Sequence, residues 1–310
     1  MFLILFSVLI IVINSEEVDS SKPYLTKEKV EQAKMTSSFE TYDYDDHPFK
    51  DKTLDQLKAM FSNKFDYEDN VLLRKPTPLG NLSGLPAYFN TREQWPNCNT
   101  VIKEQQQCGS CWAFAATSTL AERFCIQSEG KIKVNLSPQD MVSCDVGNGD
   151  NGCQGGHPEP SWQYLQYVGV PTESCVPYVS GSGYIPECPL WSFMCADRTK
   201  FKRYFAKRWN RFYSVEDAMK SIMHFGPIQT GYQIYEDFLA YKGGIYIQNS
   251  NVHVGGHMVK VVGWGNDVGT NYWICENSMG PNWGEKGLFR IRFGECLFEN
   301  QFISGDPLFA

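Results

Sequence analysis

The stretch Gln105-Gln106-Gln107-Cys108-Gly109-Ser110-Cys111-Trp112-Ala113-Phe114 decides how the rest of the chain is read. Ser110 can cap a helix. Cys111 opens an alanine-rich run that passes Trp112, Phe114, Leu120 and Phe124 and reaches about Gln127, before Gly130 ends it. A helix N-terminus carries about half a positive charge and free N–H groups, so a thiolate there is favoured over a thiol. Such sites lower a cysteine pKa from about 8.5 to between about 3.5 and 7.5. Cys111 is therefore positioned to be nucleophilic. Buried helix cysteines are common, and Cys108-x-x-Cys111 also has the spacing of a dithiol redox pair. The window alone leaves both readings open.

A nucleophilic thiol needs a base, and the base needs an orienting group. Gly255-Gly256-His257-Met258-Val259-Lys260-Val261-Val262-Gly263-Trp264-Gly265 reads as a glycine turn leading into a buried strand, with His257 at the strand start. Tyr272-Trp273-Ile274-Cys275-Glu276-Asn277-Ser278 reads as another strand, ending at an Asn whose amide oxygen can accept from an imidazole N–H. A single histidine is more often a satisfied structural side chain. The three segments together point to thiol chemistry. His253-x-x-x-His257 has metal-like spacing, but its Val and Gly flanks give no helix signal and no Glu follows His253. Gly263-x-Gly265 lacks the third glycine of a dinucleotide fingerprint. No metal and no cofactor are expected.

The chain has 310 residues, 42% of them apolar and 20% charged, with a net charge of -7. That length suits about two domains. The acidic balance speaks against a non-specific nucleic-acid binder, which needs a basic footprint. With 20 Phe, 16 Tyr and 8 Trp, the chain is not disordered as a whole. Eleven cysteines suggest an oxidising compartment, and the odd count leaves at least one thiol without an intramolecular partner.

Phe2 to Ile13 is an apolar run broken only by Ser7. It is shorter than the about 20 residues that cross a bilayer. Its place and its polar sequel predict a signal peptide over residues 1–15. No other stretch has membrane-span length. Residues 16–84 contain no cysteine. Thr26 to Lys34 and Thr53 to Phe61 read as helices, each opened by a Thr able to cap, with Leu57, Met60 and Phe61 on one face of the second. Pro76, Pro78 and Gly80 to Gly84 read as a linker. The segment is a pro-region or a small N-terminal subdomain.

Gln105, Cys108-Gly-Ser-Cys-Trp-Ala-Phe114, Gly255-Gly256-His257 and Asn277-Ser278 resemble the papain-like cysteine peptidases. The window from Leu85 to Cys98 is similar to the mature start of the cathepsin B branch, and the short segment before it looks like that branch's pro-region. The resemblance implies an α+β, two-lobed fold: a helical lobe over about 96–200, a β-barrel-like lobe over about 201–310 plus 85–95, and a pro-region over 16–84. It implies a cysteine endopeptidase made as a zymogen, acting on polypeptides, inhibited by its own pro-region and monomeric after maturation. The destination implied is a lysosome, a lysosome-like vacuole or the extracellular space. No nucleic acid is expected as a partner. A catalytically impaired binding homologue and a thiol–disulfide oxidoreductase are the alternatives.

Carried over by residue, Cys111 is the nucleophile and His257 its proton partner in a thiolate–imidazolium pair. Asn277 orients the ring, and Gln105 donates to the oxyanion beside the Cys111 backbone N–H. Cys153-Gln154-Gly155-Gly156 matches the family's Cys-Asn-Gly-Gly turn, so Gly155 and Gly156 would admit a substrate backbone. Trp283 matches an indole of the cleft wall. Gln301 falls where cathepsin B members have an acidic pocket residue, which implies an apolar or aromatic preference. The resemblance suggests disulfides Cys98–Cys125, Cys108–Cys153, Cys144–Cys188 and Cys175–Cys195, with Cys275 and Cys296 either free or paired together.

Three departures stand out. Gln106 replaces the family's Gly, and Met279 replaces a Trp. The span from Cys175 to Cys195 holds no histidine where cathepsin B has a carboxylate-binding pair. The last implies endopeptidase action with little dipeptide release. The basic run Lys200, Lys202, Arg203, Lys207, Arg208 and Arg211 is expected to pair with Asp43, Asp45 and Asp46. Asn81 and Asn135 stand in glycosylation sequons.

Overall fold

The computed structural model describes residues 21–62, 77–147, 149–188 and 195–309. The expected signal peptide lies outside them. The N-terminal segment forms α1 (Lys27–Thr36), β1 (Glu40–Thr41) and α2 (Leu54–Met60). Thr26 caps α1 by accepting from the Lys29 N–H. Thr53 caps α2 in a full capping box with Gln56. The apolar face read from the sequence is the buried one: Leu57, Met60 and Phe61 are all within the core.

There follow β2 (Phe89–Asn90), α3 (Thr91–Gln94), α4 (Cys111–Gln127), α5 (Pro138–Cys144) and α6 (Pro158–Tyr167). The C-terminal half adds β3 (Ala206–Arg211), α7 (Val215–Phe225), β4 (Ile228–Tyr235), β5 (Tyr241–Gly243), β6 (Ile245–Tyr246), β7 (His253–Asp267), β8 (Thr270–Glu276), β9 (Leu288–Arg292) and β10 (Ile303–Pro307). Seven strands run in the order β3-β10-β4-β7-β8-β9-β6, with β2 also paired to β7. All pairings are antiparallel except β6 with β9.

The fold is α+β, with a helical lobe and a sheet lobe. Helix α4 is buried from Cys111 to Ile126, which explains its composition: alanines let other elements approach on every side. Its core includes Trp112, Leu120, Phe124, Met141 and Trp162, and takes in Ala206, Met258 and Ile303 from the other half. The sheet core is aromatic, with Tyr232, Phe238, Trp273 and Phe289. Tyr24, Leu25, Phe39, Phe49, Leu57, Met60 and Phe61 of the N-terminal segment belong to this same core. That segment also adds β1 to β5 and pairs Lys29 with Glu236 at 2.9 Å. The expected linker is docked too: Pro78 and Leu79 accept from Val215 and Glu216 at the start of α7.

The structure joins Cys98–Cys125, Cys108–Cys153, Cys144–Cys188 and Cys175–Cys195. Cys111, Cys275 and Cys296 are free and buried.

The expected pairing of the basic run with the N-terminal aspartates is not found. Asp43 pairs with Lys34 of its own segment at 2.7 Å. Arg203, Arg208 and Arg211 are taken by Asp140, Asp306 and Glu159. The reason is topological: β3 forms one edge of the sheet, whereas the N-terminal segment docks on β5 and residues 236–252.

Candidate active site

Cys111 begins α4 and is fully buried. Ser110 does not cap the helix with its side chain. Its hydroxyl lies 2.9 Å from the Tyr178 hydroxyl instead, and Tyr178 in turn donates to the Gln105 carbonyl at 2.8 Å. Nothing in the sequence pointed to Tyr178.

His257 is not at a strand start. It sits inside β7, which begins at His253 and runs straight through Gly255 and Gly256. These glycines serve close approach rather than a turn. A Cβ on Gly255 would stand 2.2 Å from the Phe61 carbonyl oxygen, and the Gly256 N–H donates to that oxygen at 3.0 Å. Glycine inside a strand often marks such an approach.

The ring's orientation is fixed. The Ser278 N–H donates to Asn277 Oδ1 at 2.8 Å, which identifies that atom as the amide oxygen. His257 Nε2 is 2.7 Å from the same oxygen and must therefore carry the hydrogen. In the neutral ring Nδ1 is then the basic nitrogen. It is buried and makes no hydrogen bond here. The Cys111 thiol is reached by the backbone N–H of Met258, the residue after His257.

Gln105 is fully buried beside them. Its Nε2 donates to the Cys108 carbonyl and to the Met60 carbonyl, both at 2.9 Å. The Ser278 hydroxyl donates to its Oε1 at 2.6 Å, so the amide group presents its donors to Met60.

Residues 59–62 therefore lie across the site. Phe61 packs edge-on to the His257 ring, with centroids 5.2 Å apart. The Ser62 hydroxyl donates to the Cys153 carbonyl at 3.1 Å. A Cβ on Gly109 would meet Ser62 Oγ at 1.8 Å, so glycine there admits the segment. The sequence marked Met60 and Phe61 only as an apolar helix face.

Burial governs the electrostatics. It pushes the Cys111 thiol up to about 12, against the N–H groups of Met258, Trp112 and Cys111 itself. It lowers His257 to about 4, against the Asn277 hydrogen bond. Burial outweighs the helix-terminus effect expected for Cys111 in this form. In this form burial works against the charged state of each group.

The other expected residues lie as follows. Gly155 has a φ of 96°, a conformation suited to glycine. A Cβ on Gly156 would meet Trp112 at 2.7 Å and Asp150 at 2.4 Å, so packing alone requires glycine there. Trp283 is buried against Phe238, Tyr241 and Phe289. The Tyr42 hydroxyl brackets it, donating to the Asn282 carbonyl and accepting from the Gly284 N–H. Met279 is buried and bridges to Glu104. Gln301 ends a 3-10 helix, and its Oε1 is buried without a partner. Gln106 has a φ of 57°, which explains why a glycine suits this turn. Its side chain lies over Gly181.

Among the described residues, no group of three or more His, Cys, Asp or Glu could hold a metal, and no helix is long and apolar enough to cross a membrane.

Residues 85–305 match the family described as papain family cysteine protease. Cathepsin B-like cysteine proteinase 4 of Caenorhabditis elegans is 36% identical over 258 residues, covering 73% of this chain and 77% of that one. Cathepsin B-like CP3 of Giardia intestinalis is 39% identical over 240 residues, covering 75% and 79%. Among solved structures, proCathepsin B S9 from Trypanosoma congolense is similar with a TM-score of 0.77 and 26% identity, over 93% of this chain and all of that one. The proform of the ragweed allergen Amb a 11 has a TM-score of 0.71 and 27% identity, over 91% and 86%.

Proposed function

The chain belongs to the papain family of cysteine proteases and is a cysteine endopeptidase zymogen of cathepsin B-like type, and we propose that Cys111 is its nucleophile and His257 its proton partner. The observation that carries this is the hydrogen bond from His257 Nε2 to Asn277 Oδ1, which leaves Nδ1 as the free base beside the helix that bears the thiol. Once the cleft opens, Nδ1 takes the Cys111 proton. The sulfur attacks the peptide carbonyl carbon, a C–S bond forms and the carbonyl electrons move to oxygen. The Gln105 Nε2 and the Cys111 N–H hold that oxyanion. Imidazolium then protonates the leaving amine as the C–N bond breaks. Water, deprotonated by Nδ1, adds to the thioester carbonyl, and the thiol leaves with the acid product formed. Asn277 keeps the ring in one tautomer throughout.

Residues 16–84 act as the inhibitory pro-region. The contact of the Met60 carbonyl with Gln105 supports this, because that carbonyl holds the donor a substrate would need. The peptidase domain is taken as 85–310. Gly155, Gly156, Trp283 and Gln301 are proposed to line the substrate cleft, with an apolar or aromatic side chain preferred against Gln301. The histidine-free span from Cys175 to Cys195 supports endopeptidase action over dipeptide release. Four disulfides favour a secretory destination, lysosomal or extracellular. Tying Cys108 to Cys153 deprives Cys111 of a resolving thiol, against the oxidoreductase alternative.

Hydrolysis of a peptide library by the acid-activated chain, beside a Cys111→Ala control, tests this. Internal cleavage that disappears in the control supports it. Cleavage retained by the control rejects it.

A further inference from the structure

Glu122 lies on α4 about three turns after Cys111 and is fully buried. Lys260 lies on β7, the strand of His257, and its side chain is 1% exposed. Its ammonium donates to Glu122 Oε2 at 2.7 Å and to Thr100 Oγ1 at 2.6 Å, and stands 2.8 Å from Glu276 Oε1. Glu276 ends β8 and immediately precedes Asn277. Its other oxygen pairs with Arg92 of α3, and Thr91 donates to the second oxygen of Glu122 at 3.2 Å. Two buried carboxylates are thus balanced by two cations. One ammonium thus makes hydrogen bonds to two segments and an ion pair with a third. The helix of the thiol, the strand of the imidazole and the strand that ends just before the orienting amide all meet at Lys260.

Stability alone is a poor reason for such a cluster, since apolar replacements of buried ion pairs are often neutral or stabilising. Fixing register is the better attested use. Asn277 needs that fixing. It borders a water-sized cavity of about 10 Å3 that Lys260 and Glu276 also line, with Phe114, Ser118 and Met258.

We infer that Lys260 is a positioning residue for the peptidase reaction, setting the helix of Cys111 and the end of β8, beside Asn277, against the strand of His257. The inference rests on the roles proposed above for those three residues.

Lys260→Met alone would strand buried carboxylates, so the charge-balanced pair Lys260→Met with Glu122→Gln is made in the full-length chain. After cleavage of the pro-region by an added protease, active thiols are titrated with an epoxide warhead. Turnover per titrated thiol and the pH curve of Cys111 alkylation by iodoacetamide are measured. The expected result is kcat lower by about tenfold with KM within about twofold, and an alkylation midpoint moved by about half a pH unit. Lys260→Arg should recover most of kcat. Unchanged kcat and an unchanged alkylation curve would overturn the inference. If the paired variant does not fold, Glu276→Gln decides on the same two readouts, because it keeps the Lys260–Glu122 pair and the shape of the side chain while it removes the charge that ties the end of β8 to Lys260 and Arg92. Peptide cleavage by Cys111→Ala sinks the catalytic assignment itself, a failure separate from normal turnover in the Lys260 variants.

Discussion

The side-chain amide of Gln105 donates to the Met60 carbonyl at 2.9 Å, so the group proposed to hold a substrate oxyanion already holds a carbonyl of the chain's own N-terminal segment. One donor thereby serves two states. In the zymogen it anchors the segment; in the open enzyme it meets the transition state. Gln105→Ala should then have two opposite effects. Turnover of the activated enzyme should fall about 100- to 1000-fold, the usual loss for one oxyanion donor. Access of a thiol-directed warhead to Cys111 in the intact zymogen should rise. Kinetics of peptide hydrolysis and of warhead labelling check the two halves. A fall in turnover without faster labelling would mean the Met60 contact contributes nothing to closure.

His47 gives the closed form a pH dependence. It is 2% exposed, packed between Tyr42 and Phe49, and burial lowers it to about 4. Released into water, it returns to about 6.5. The docked form thus binds fewer protons than the released one. Its stability is complete above about 6.5 and is lost as pH falls toward 4, by about 3 kcal/mol in all. Acid should open the zymogen across that window. His257, also lowered to about 4 under the segment, pushes the same way. His47→Leu should shift acid activation downward by about a pH unit without removing it. Activity appearing on a pH series of wild type and variant measures this, and superimposable curves would remove His47 from the mechanism.

The thiol inventory gives a direct count. Cys111, Cys275 and Cys296 are free and all are buried. Native zymogen should react slowly with an aromatic disulfide reagent at every position. Chain unfolded without reductant should show three thiols. Removal of the N-terminal segment should expose Cys111 alone, because Cys275 and Cys296 lie in the aromatic core of the sheet lobe. A second fast thiol after activation would contradict this packing.

Much of this was legible because it is local. Capping threonines, the bounds of α4 and the apolar face of α2 follow from short-range rules that the packing did not override. The placement of Cys111, His257 and Asn277 was legible only through three motifs read together, since no periodicity brings distant segments into contact. The glycines before His257 were misread for a definite reason. A glycine that makes a turn and one that admits a neighbouring backbone look alike in sequence, and the neighbour here, Phe61, is far away in the chain. The charge pairing failed similarly: Asp43 found Lys34 on its own segment before any basic residue of β3. The upward push on the thiol was also illegible, because it comes from burial by segments distant in the chain rather than from the helix beneath it.

The helical lobe should weaken as pH rises, through Asp145 and Asp150. Both are buried, and they face one another next to the turn that carries Cys153, Gly155 and Gly156. Asp150 is supplied with donors, the His157 N–H at 2.6 Å and the Ser161 hydroxyl at 3.2 Å. Asp145 Oδ2 has none. The pair can bond only if one acid keeps its proton, and Asp145 is the one left to keep it. Burial and the neighbouring acid raise Asp145 well above the usual carboxylate range, and burial raises Asp150. A raised acid binds more protons folded than unfolded. The stability it supports is present below about 4 and is lost as pH climbs toward the folded-state value. Asp145→Asn keeps the donor without the charge. Its thermal midpoint should match wild type near pH 4 and exceed it by several degrees above neutrality, where about 2 kcal/mol is relieved. Scanning both proteins across that pH range decides it. Parallel curves would show that the two acids do not share a proton in the folded chain.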